Sequence, residues 1–152
     1  MANTYTQLYT HVVFAVKGRA NHITEPWKQE LFKYIAGIVK NKGQKLIVIN
    51  GMPDHIHLLV GFKPDVSLSD LVRDIKSNSS RFVNENEWFN RNFEWQKGFG
   101  AFTLGYSQLD VVAHYIRNQE EHHKAKTFRD EYLEILNRHD IDYKTEYLFE
   151  AD

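Results

Sequence analysis

The fold is decided by Lys45-Leu-Ile-Val-Ile-Asn-Gly-Met52, Pro53-Asp54 and His55-Ile-His-Leu-Leu-Val-Gly-Phe62, two apolar runs on either side of a turn-forming pair. Such runs joined by Pro-Asp predict two strands in a hairpin. Side chains alternate along a strand, so His55 and His57 are expected on one face, with their Cα atoms about 7 Å apart. The apolar side chains between and after them are expected on the packed face: Ile56, Leu58, Val60 and Phe62.

Upstream of the hairpin, the sequence predicts one strand and one helix. The run from Tyr5 to Val16 is apolar on both faces, which is typical of a central strand. Thr24-Glu25-Pro26 has the residues of a helix start, and Lys42-Gly43 those of a helix end. A helix is therefore predicted between these two signals.

Downstream of the hairpin, the pattern predicts three helices and one strand. Three pairs have the spacing of a helix N-cap: Ser67 with Asp70, Ser107 with Asp110, and Thr127 with Asp130. Glycines punctuate a predicted strand at 98–105. The second of these helices is expected to span about residues 108–124.

The order strand, helix, strand, strand, helix, strand, helix, with the helix after Thr127 following it, predicts an α+β fold. It suits a ferredoxin-like or RRM-like antiparallel sheet with helices packed on one face. With 152 residues and no linker-like stretch, the chain is expected to form a single domain over 1–152.

The composition limits the possible functions. Nineteen basic and twenty acidic residues nearly cancel, so any grip on nucleic acid requires a local basic patch. The sequence has no cysteine, no apolar run long enough for a bilayer, and no secretory leader pattern. We therefore expect a cytoplasmic protein without disulfides or membrane contact.

Two further residues bear on the hairpin histidines. A spacing of four places Tyr115 and Gln119 on one helical face, about 6 Å apart along the axis. His55, His57 and Gln119 could together supply one face of a metal site, with Tyr115 as a nucleophile on a phosphate. Taken alone, neither the His-x-His pair nor the Tyr-x-x-x-Gln pair is specific evidence for this chemistry. The histidines could be merely hydrogen-bonded on a half-buried strand, and Tyr115 could be a boundary aromatic with Gln119 in solvent.

Tyrosine chemistry would need help from its surroundings. An ordinary tyrosine lies about three pH units below its pKa at neutrality, so phenolate formation costs on the order of 4 kcal/mol. A metal and a basic neighbour would have to offset that cost. Phenolate is a good leaving group, so a phosphotyrosine ester can be attacked by a DNA hydroxyl without an external energy source.

Four blocks of sequence in order resemble the HUH-type, single-tyrosine transposases of bacterial and archaeal insertion sequences of the two-hundred/six-hundred-five type. The blocks are YTHVVFAVKGR at 9–19, MPDHIHLLV at 52–60, WQKGFGAF at 95–102 and YIRNQEEHH at 115–123. The resemblance implies that His55, His57 and Gln119 are metal ligands and that Tyr115 is the nucleophile. It also implies an RRM-like fold with Mg or Mn as cofactor.

The resemblance further implies a reaction. Such enzymes bind a single-stranded DNA hairpin at each end of a mobile element, cut one strand to leave a 5′-phosphotyrosine, and exchange strands. They act as homodimers in which a tyrosine helix can complete the partner's site. By this resemblance, the protein acts on the nucleoid of a bacterium or archaeon. The glycines at 98–105 would allow the tyrosine helix to swing, or they simply make bulges.

Several details stay open at this point. Imidazole pairs favour softer ions such as zinc, and manganese best reconciles them with the resemblance. His122 could replace or assist Gln119, whereas the other histidines, including His11, are assigned no chemical role. Five basic residues could meet phosphates or be ordinary solvated side chains: Lys17, Arg19, Arg73, Lys76 and Arg81. Four aromatics could stack on bases or belong to the core: Trp88, Phe89, Trp95 and Phe99.

Other functions remain as alternatives. A domesticated relative would process dispersed repeat hairpins instead of moving its own element, and a non-catalytic RRM-like module would bind nucleic acid without Tyr115 or a metal. A histidine-triad hydrolase would need a third alternating histidine, where Leu59 stands. A two-histidine phosphodiesterase would need two His-x-Ser/Thr motifs, and the sequence has one, His22-Ile-Thr24.

Overall fold

The computed structural model describes residues 4–19, 22–25, 27–88, 92–144 and 148. Four strands form one antiparallel sheet: β1 (Leu8–Ala15), β2 (Lys45–Met52), β3 (His55–Phe62) and β4 (Gly100–Leu104). Their order across the sheet is β2-β3-β1-β4. β3 and β1 are therefore central, and this explains why both carry apolar residues on two faces.

The predicted hairpin has the bounds that the sequence indicated. β2 and β3 are joined across Pro53-Asp54, and Met52 pairs with His55 at the turn. Gly51 lies so close to the facing strand that an added Cβ would be 2.3 Å from the His55 carbonyl oxygen. A glycine is therefore required there for the strands to approach each other. The turn fixes the register, and with it the face on which each histidine lies.

In the described part of the chain, five α-helices connect and cover the strands: α1 (Trp27–Asn41), α2 (Leu68–Glu85), α3 (Leu109–Arg117), α4 (Gln119–His122) and α5 (Phe128–Arg138). Short 3-10 turns lie at Lys17–Arg19 and Tyr106–Gln108. The Ser67 and Thr127 caps form as predicted, because each hydroxyl accepts from the backbone N–H three residues on. Pro26, part of the predicted start of α1, lies outside the described residues.

α1 and α2 pack on one face of the sheet. The core there contains Val12 and Phe14 from β1 together with Ile56, Leu58 and Val60 from β3. These are the β3 residues for which the sequence predicted a packed face. The predicted α+β antiparallel sheet with packed helices is confirmed.

The opposite face of the sheet is also covered by helices. α5 packs on Val13, Ala15 and Phe102, while α3 packs on Leu59. The expectation of helices on one face thus describes α1 and α2 alone. Val13 and Ala15 of β1 and Leu59 of β3 are apolar on this side, so both faces need cover. The histidine face of β3 is consequently enclosed.

The tyrosine-bearing segment differs from the predicted continuous helix of about 108–124. It starts at Leu109, and Ser107 lies in the preceding 3-10 turn, not at an N-cap. At Asn118 (φ −98°, ψ 28°) the helix is interrupted before α4. Nδ2 of Asn50 donates to the carbonyls of Ile116 and Arg117 at 3.0 Å. This side chain on β2 satisfies carbonyls at the end of α3 and stabilises the break.

No helix in the described ranges has the length and apolar content to cross a bilayer.

Candidate active site

β3 places two histidines next to each other on the face that α3 and α5 cover. His55 and His57 have no exposed surface, and their ring centroids are 5.0 Å apart. Oδ1 of Asp54 lies 2.7 Å from Nδ1 of His55, and Nε2 of His11 lies 2.8 Å from Nδ1 of His57. Because each Nδ1 is held by a neighbour, both rings direct Nε2 into the same buried space.

His11 is a member of this cluster to which the sequence analysis gave no role. It lies on β1 and stacks on His57 with ring centroids 5.1 Å apart. Burial, and then the neighbouring His57, lower the pKa of His11 to about 3, so its ring is neutral at pH 7. A neutral ring can donate or accept at Nε2, depending on the tautomer of His57. His11 therefore positions His57, through a contact that depends on the pairing of β1 with β3.

The helical pair reaches the same space from α3 and α4. Oε1 of Gln119 lies 3.1 Å from Nε2 of His55, and Gln119 is fully buried. The half-buried ring of Tyr115 stands edge-on to His57, with centroids 5.9 Å apart. The structure thus brings Tyr115, Gln119 and both histidines together within one chain.

Glu131 joins these groups, and the sequence analysis missed it. This residue of α5 is 3% exposed. Its Oε1 lies 3.1 Å from Nε2 of both His55 and His57, and its Oε2 accepts from the Tyr115 hydroxyl and from Nε2 of Gln119 at 3.0 Å. A signal was present in the sequence: Glu131 occupies the helical stripe between Phe128 and Ile135, where an apolar residue is expected.

The carboxylate and the phenol perturb each other. Burial raises the pKa of the Glu131 carboxyl, but hydrogen bonds from His123, His55 and His57 outweigh burial and hold that pKa well below its usual range. Burial, and then the charge of Glu131, raise the pKa of the Tyr115 hydroxyl well above its ordinary value. In this arrangement Glu131 is ionised and Tyr115 is protonated.

The two hairpin histidines differ in charge preference. Burial lowers the pKa of His55, but hydrogen bonds with Asp54 and Glu131 outweigh it, and the pKa is raised. Burial dominates for His57, and its pKa is lowered in spite of the bond to Glu131. His55 is therefore the imidazole better suited to carry a positive charge beside the buried carboxylate.

The donor set fits a divalent metal ion. His55, His57 and Glu131 each offer one ligand atom, and these atoms lie within 4.8 Å of one another. Two imidazole nitrogens with carboxylate and amide oxygens are ligands that manganese accepts readily, and magnesium accepts the oxygens. Both histidines already have the supporting partners that fix metal-binding imidazoles.

A cavity of about 170 Å³ lies beside the tyrosine. The residues that line it are Tyr115, His122, His123, Lys126, Glu131, Glu134, Ile135 and Arg138. Lys126 donates to both carboxylate oxygens of Glu134, at 2.8 and 2.7 Å. The buried cluster therefore adjoins a space that a phosphate group could enter, with Lys126, Arg138 and the Glu134 carboxylate at its wall.

Comparison with known proteins identifies the family. A family profile described as "Transposase IS200 like" matches residues 4–119, which include the whole sheet, both hairpin histidines, Tyr115 and Gln119. The chain belongs to this transposase family.

Individual transposases agree with this assignment. The chain is 26% identical over 122 residues to the ISDra2 transposase TnpA of Deinococcus radiodurans, covering 76% of this chain and 86% of that protein. It is 25% identical over 130 residues to the transposase for insertion sequence element IS200 of Salmonella typhimurium, covering 82% and 84%. The predicted membership in the single-tyrosine transposase family is thus confirmed.

Solved structures show the same fold. A candidate transposase from Deinococcus radiodurans R1 superposes with a TM-score of 0.60 at 23% identity, over 78% of this chain and 95% of that one. A REP-associated tyrosine transposase bound to a REP hairpin gives a TM-score of 0.59 at 16% identity, over 78% and 70%.

In this transposase, the basic residues predicted to contact DNA on α2 lie away from Tyr115. α2 packs on the sheet face opposite the histidines. Arg73 pairs with Asp70 and Asp74, and Arg81 donates to Asn78. Any DNA bound by these residues would therefore lie across the sheet from the candidate active site.

Lys76, Lys17 and Arg19 occupy other positions. Lys76 donates to the carbonyls of Gln96 and Gly98, which ties α2 to the segment before β4. Lys17 pairs with Glu94 at 2.9 Å, just after β1. Arg19 ends the 3-10 turn that follows β1. Lys17 and Lys76 are thus bonded to the segment that leads from α2 into β4.

The sequence also named aromatic residues and His122 as candidates, and the structure places some of these in the core and His122 at the site. Trp95 is buried and donates to Ser79, and Trp88 stacks on Trp27, so both serve packing. Phe99 is 37% exposed, whereas Phe89 lies outside the described residues. His122 packs on the Tyr115 ring with centroids 4.5 Å apart.

Most of the glycine-punctuated segment, Gly100–Leu104, is β4, and it pairs with β1.

Proposed function

We propose that this transposase cuts and rejoins single-stranded DNA, with Tyr115 as the nucleophile and with a divalent metal ion held by His55, His57 and Gln119. The observation that carries the proposal is the meeting of the Tyr115 hydroxyl and both Nε2 atoms at the Glu131 carboxylate. The phenol and the paired imidazoles come from different elements of one chain. No helix exchange between subunits is needed for this convergence.

The proposed reaction is a transesterification at phosphorus. The Tyr115 oxygen attacks the scissile phosphate, the bond between phosphorus and the 3′-oxygen breaks, and a 5′-phosphotyrosine forms. The phenol loses its proton to solvent or a neighbouring base, and the departing 3′-oxygen takes one up to become a hydroxyl. When bound, the metal ion would polarise the phosphate. A DNA 3′-hydroxyl attacks the phosphotyrosine in the reverse sense and reseals the strand.

The surroundings of Tyr115 define what activation requires. Glu131 accepts the phenol's hydrogen bond, and its negative charge opposes phenolate formation. Positive charge must offset this carboxylate before the phenol can ionise. Arg138 and Lys126 line the adjoining cavity, where they would hold phosphate oxygens and stabilise the charge that develops during attack. Lys126 pairs with Glu134 there, so a phosphate would have to displace that carboxylate from it.

Further parts of the proposal follow from family membership and chemistry. Hairpin DNA is the proposed substrate, as the structurally similar REP-associated protein was solved with a REP hairpin. Mg or Mn is the proposed ion, with manganese favoured by imidazoles together with oxygen ligands. The enzyme is proposed to work as a homodimer on the nucleoid, in the cytoplasm of a bacterium or archaeon.

The test is capture of the covalent intermediate. The protein is incubated with a labelled single-stranded hairpin and Mn²⁺ or Mg²⁺, and denaturing gels reveal DNA that stays attached. Tyr115→Phe should abolish the adduct and leave hairpin binding largely intact. Tyr106→Phe is the matched control, because Tyr106 is 65% exposed and lies outside the cluster. An adduct that persists in Tyr115→Phe would disprove the nucleophile assignment.

The same assay separates the alternative functions. Hairpin binding without any adduct from the wild-type protein would favour a non-catalytic RRM-like binding module. The likeness to the REP-associated protein supports, as a second candidate, a domesticated enzyme that processes dispersed repeat hairpins. Two results together would identify such a domesticated enzyme: cleavage of dispersed genomic repeat hairpins, and a coding region that is not flanked by the ends of a mobile element.

A further inference from the structure

One carboxylate connects all the groups of the proposed site, and it lies outside the segment that the family profile matches. The profile ends at Gln119, whereas α5 begins at Phe128. We propose that Glu131 of α5 is an additional ligand of the divalent ion, so that α5 is part of the active site. This inference rests on the proposed metal-assisted function and extends its ligand set.

The distances around Oε1 of Glu131 support a ligand role. This atom lies 3.1 Å from Nε2 of His55 and from Nε2 of His57, and 2.9 Å from Nε2 of His123. Three imidazole nitrogens therefore converge on one carboxylate oxygen. Each is at a separation typical of two ligand atoms that share an ion about 2.1 Å from each. This carboxylate oxygen and these imidazole nitrogens now hydrogen-bond to one another. A bound ion would lie between them and replace those hydrogen bonds.

The packing of α5 holds the carboxylate in place. Thr127 caps the helix by accepting from the Asp130 N–H, and the Phe128 ring stacks on His55 with centroids 4.1 Å apart. Ile135 lies buried one turn further on. A carboxylate on the buried stripe of a helix is costly unless cationic partners compensate it. A shared divalent ion would supply that compensation more fully than the imidazoles alone.

The second oxygen gives this ligand a positioning role as well. Oε2 accepts from Nε2 of Gln119 at 3.0 Å, which turns Oε1 of Gln119 toward His55. Oε2 also accepts from the Tyr115 hydroxyl. Glu131 would therefore hold the Gln119 amide and the Tyr115 phenol in fixed orientations beside the ion.

The test measures Mn²⁺ binding by the full chain without DNA, using calorimetry and the electron paramagnetic resonance signal of free Mn²⁺. Glu131→Gln keeps the size and removes the charge, and we expect it to weaken Mn²⁺ binding at least tenfold. The matched control is Glu121→Gln, since that side chain is 70% exposed; it should bind like the wild type. Unchanged or tighter Mn²⁺ binding by folded Glu131→Gln would overturn the proposal.

A second measurement covers the case in which Glu131→Gln does not fold. In a crystal structure of the wild-type protein soaked with Mn²⁺, the ion located by its anomalous scattering should lie within bonding distance, about 2.2 Å, of a Glu131 carboxylate oxygen as well as of His55 and His57. An ion bonded to both histidines with both Glu131 oxygens beyond about 3 Å would overturn the proposal.

The outcomes also separate this inference from the proposed function. If Mn²⁺ binding requires His57 but not Glu131, and the Tyr115 adduct forms normally, then Glu131 is not a ligand and the proposed transposase reaction stands. Glu131-dependent Mn²⁺ binding without any adduct supports the ligand assignment and counts against the reaction.

Discussion

The two faces of the sheet use the same strands for different purposes. On the α1 and α2 face, β3 contributes Ile56, Leu58 and Val60, all fully buried among apolar residues. On the other face the same strand contributes His55 and His57, equally buried but surrounded by polar side chains. Burial alone therefore does not distinguish a structural face from a chemical one. The distinction lies in the partners that each buried side chain meets.

The energetic consequences differ accordingly. Apolar side chains gain stability simply by leaving water, in any orientation that packs well. Buried polar groups are stable only if each donor meets an acceptor at the right distance. The histidine face meets this demand through Asp54, His11, Gln119 and Glu131. Substitutions on the apolar face should therefore lower mainly the free energy of unfolding. Substitutions on the histidine face should lower mainly metal-dependent adduct formation.

The largest expected effect on function is on the histidine face. His57→Ala removes one of the two paired imidazoles, and we expect metal-dependent adduct formation to fall by at least about 100-fold, since even supporting partners of metal ligands contribute 10- to 100-fold. The adduct gel with Mn²⁺ measures this loss. His114→Ala, which changes an exposed histidine of α3, should keep normal activity. Near-normal cleavage by His57→Ala would break the functional assignment of this face.

The largest expected effect on stability is on the apolar face. Leu58→Ala leaves a cavity beside α1 and α2 and should lower the free energy of unfolding by about 2 to 5 kcal/mol, as measured by urea denaturation. Val111→Ala, at a position 71% exposed, should change it by less than about 0.5 kcal/mol. Below its melting temperature, Leu58→Ala should still form the adduct. A folded Leu58→Ala protein without activity would show that the two faces are not separable.

The helix caps give a smaller, paired comparison. Ser67→Ala on α2 and Thr127→Ala on α5 each remove one hydroxyl acceptor and should each cost about 1 kcal/mol of stability. Thr127→Ala should also weaken Mn²⁺ binding a few-fold, because fraying α5 loosens Glu131. Ser67→Ala should leave Mn²⁺ affinity unchanged. Equal Mn²⁺ affinities in the two variants would argue that the start of α5 does not support the site.

The smallest expected effect is at the surface of the apolar side. The Lys42 ammonium donates to Oδ2 of Asp74 at 2.7 Å, and this hydrogen bond holds the Asp74 pKa below its ordinary value of 3.8. A lowered folded-state pKa contributes stability that is present above pH 3.8 and is lost as the pH falls through the lower value. Asp74→Asn should therefore melt slightly below the wild type at pH 7. The difference should vanish in acid and in 1 M salt, and a difference that persists in acid would contradict this origin.

Much of the fold could be predicted because its signals are local. The Pro53-Asp54 turn and the alternation of Ile56, His57 and Leu58 fixed the hairpin and its two faces. The caps at Ser67 and Thr127 also depend on neighbours three residues away. The predicted cap at Ser107 was wrong, because Gly105 begins a 3-10 turn there and Gln108 precedes α3. Competing turns of similar stability are difficult to separate from short-range patterns.

The polar neighbours of the site were less predictable. Asn50 interrupts the tyrosine segment through contacts to residues 66 and 67 positions away. His11 meets His57 across a strand pairing, and Glu131 enters from a helix that follows Gln119. Nothing in the spacing of these residues indicates that they meet. A buried-stripe position occupied by an acid was the one available sign.

The sequence by itself determined the strand alternation that puts two imidazoles on one face, and the motif blocks that place the chain among the IS200-like transposases. Those properties depend on side-chain order along a strand and on short stretches of chain. Only the tertiary structure decided which groups close around the imidazoles. That outcome depends on the packing of β1, α4 and α5 against β3, and a buried polar group is satisfied by whichever partner the packing brings within hydrogen-bond distance.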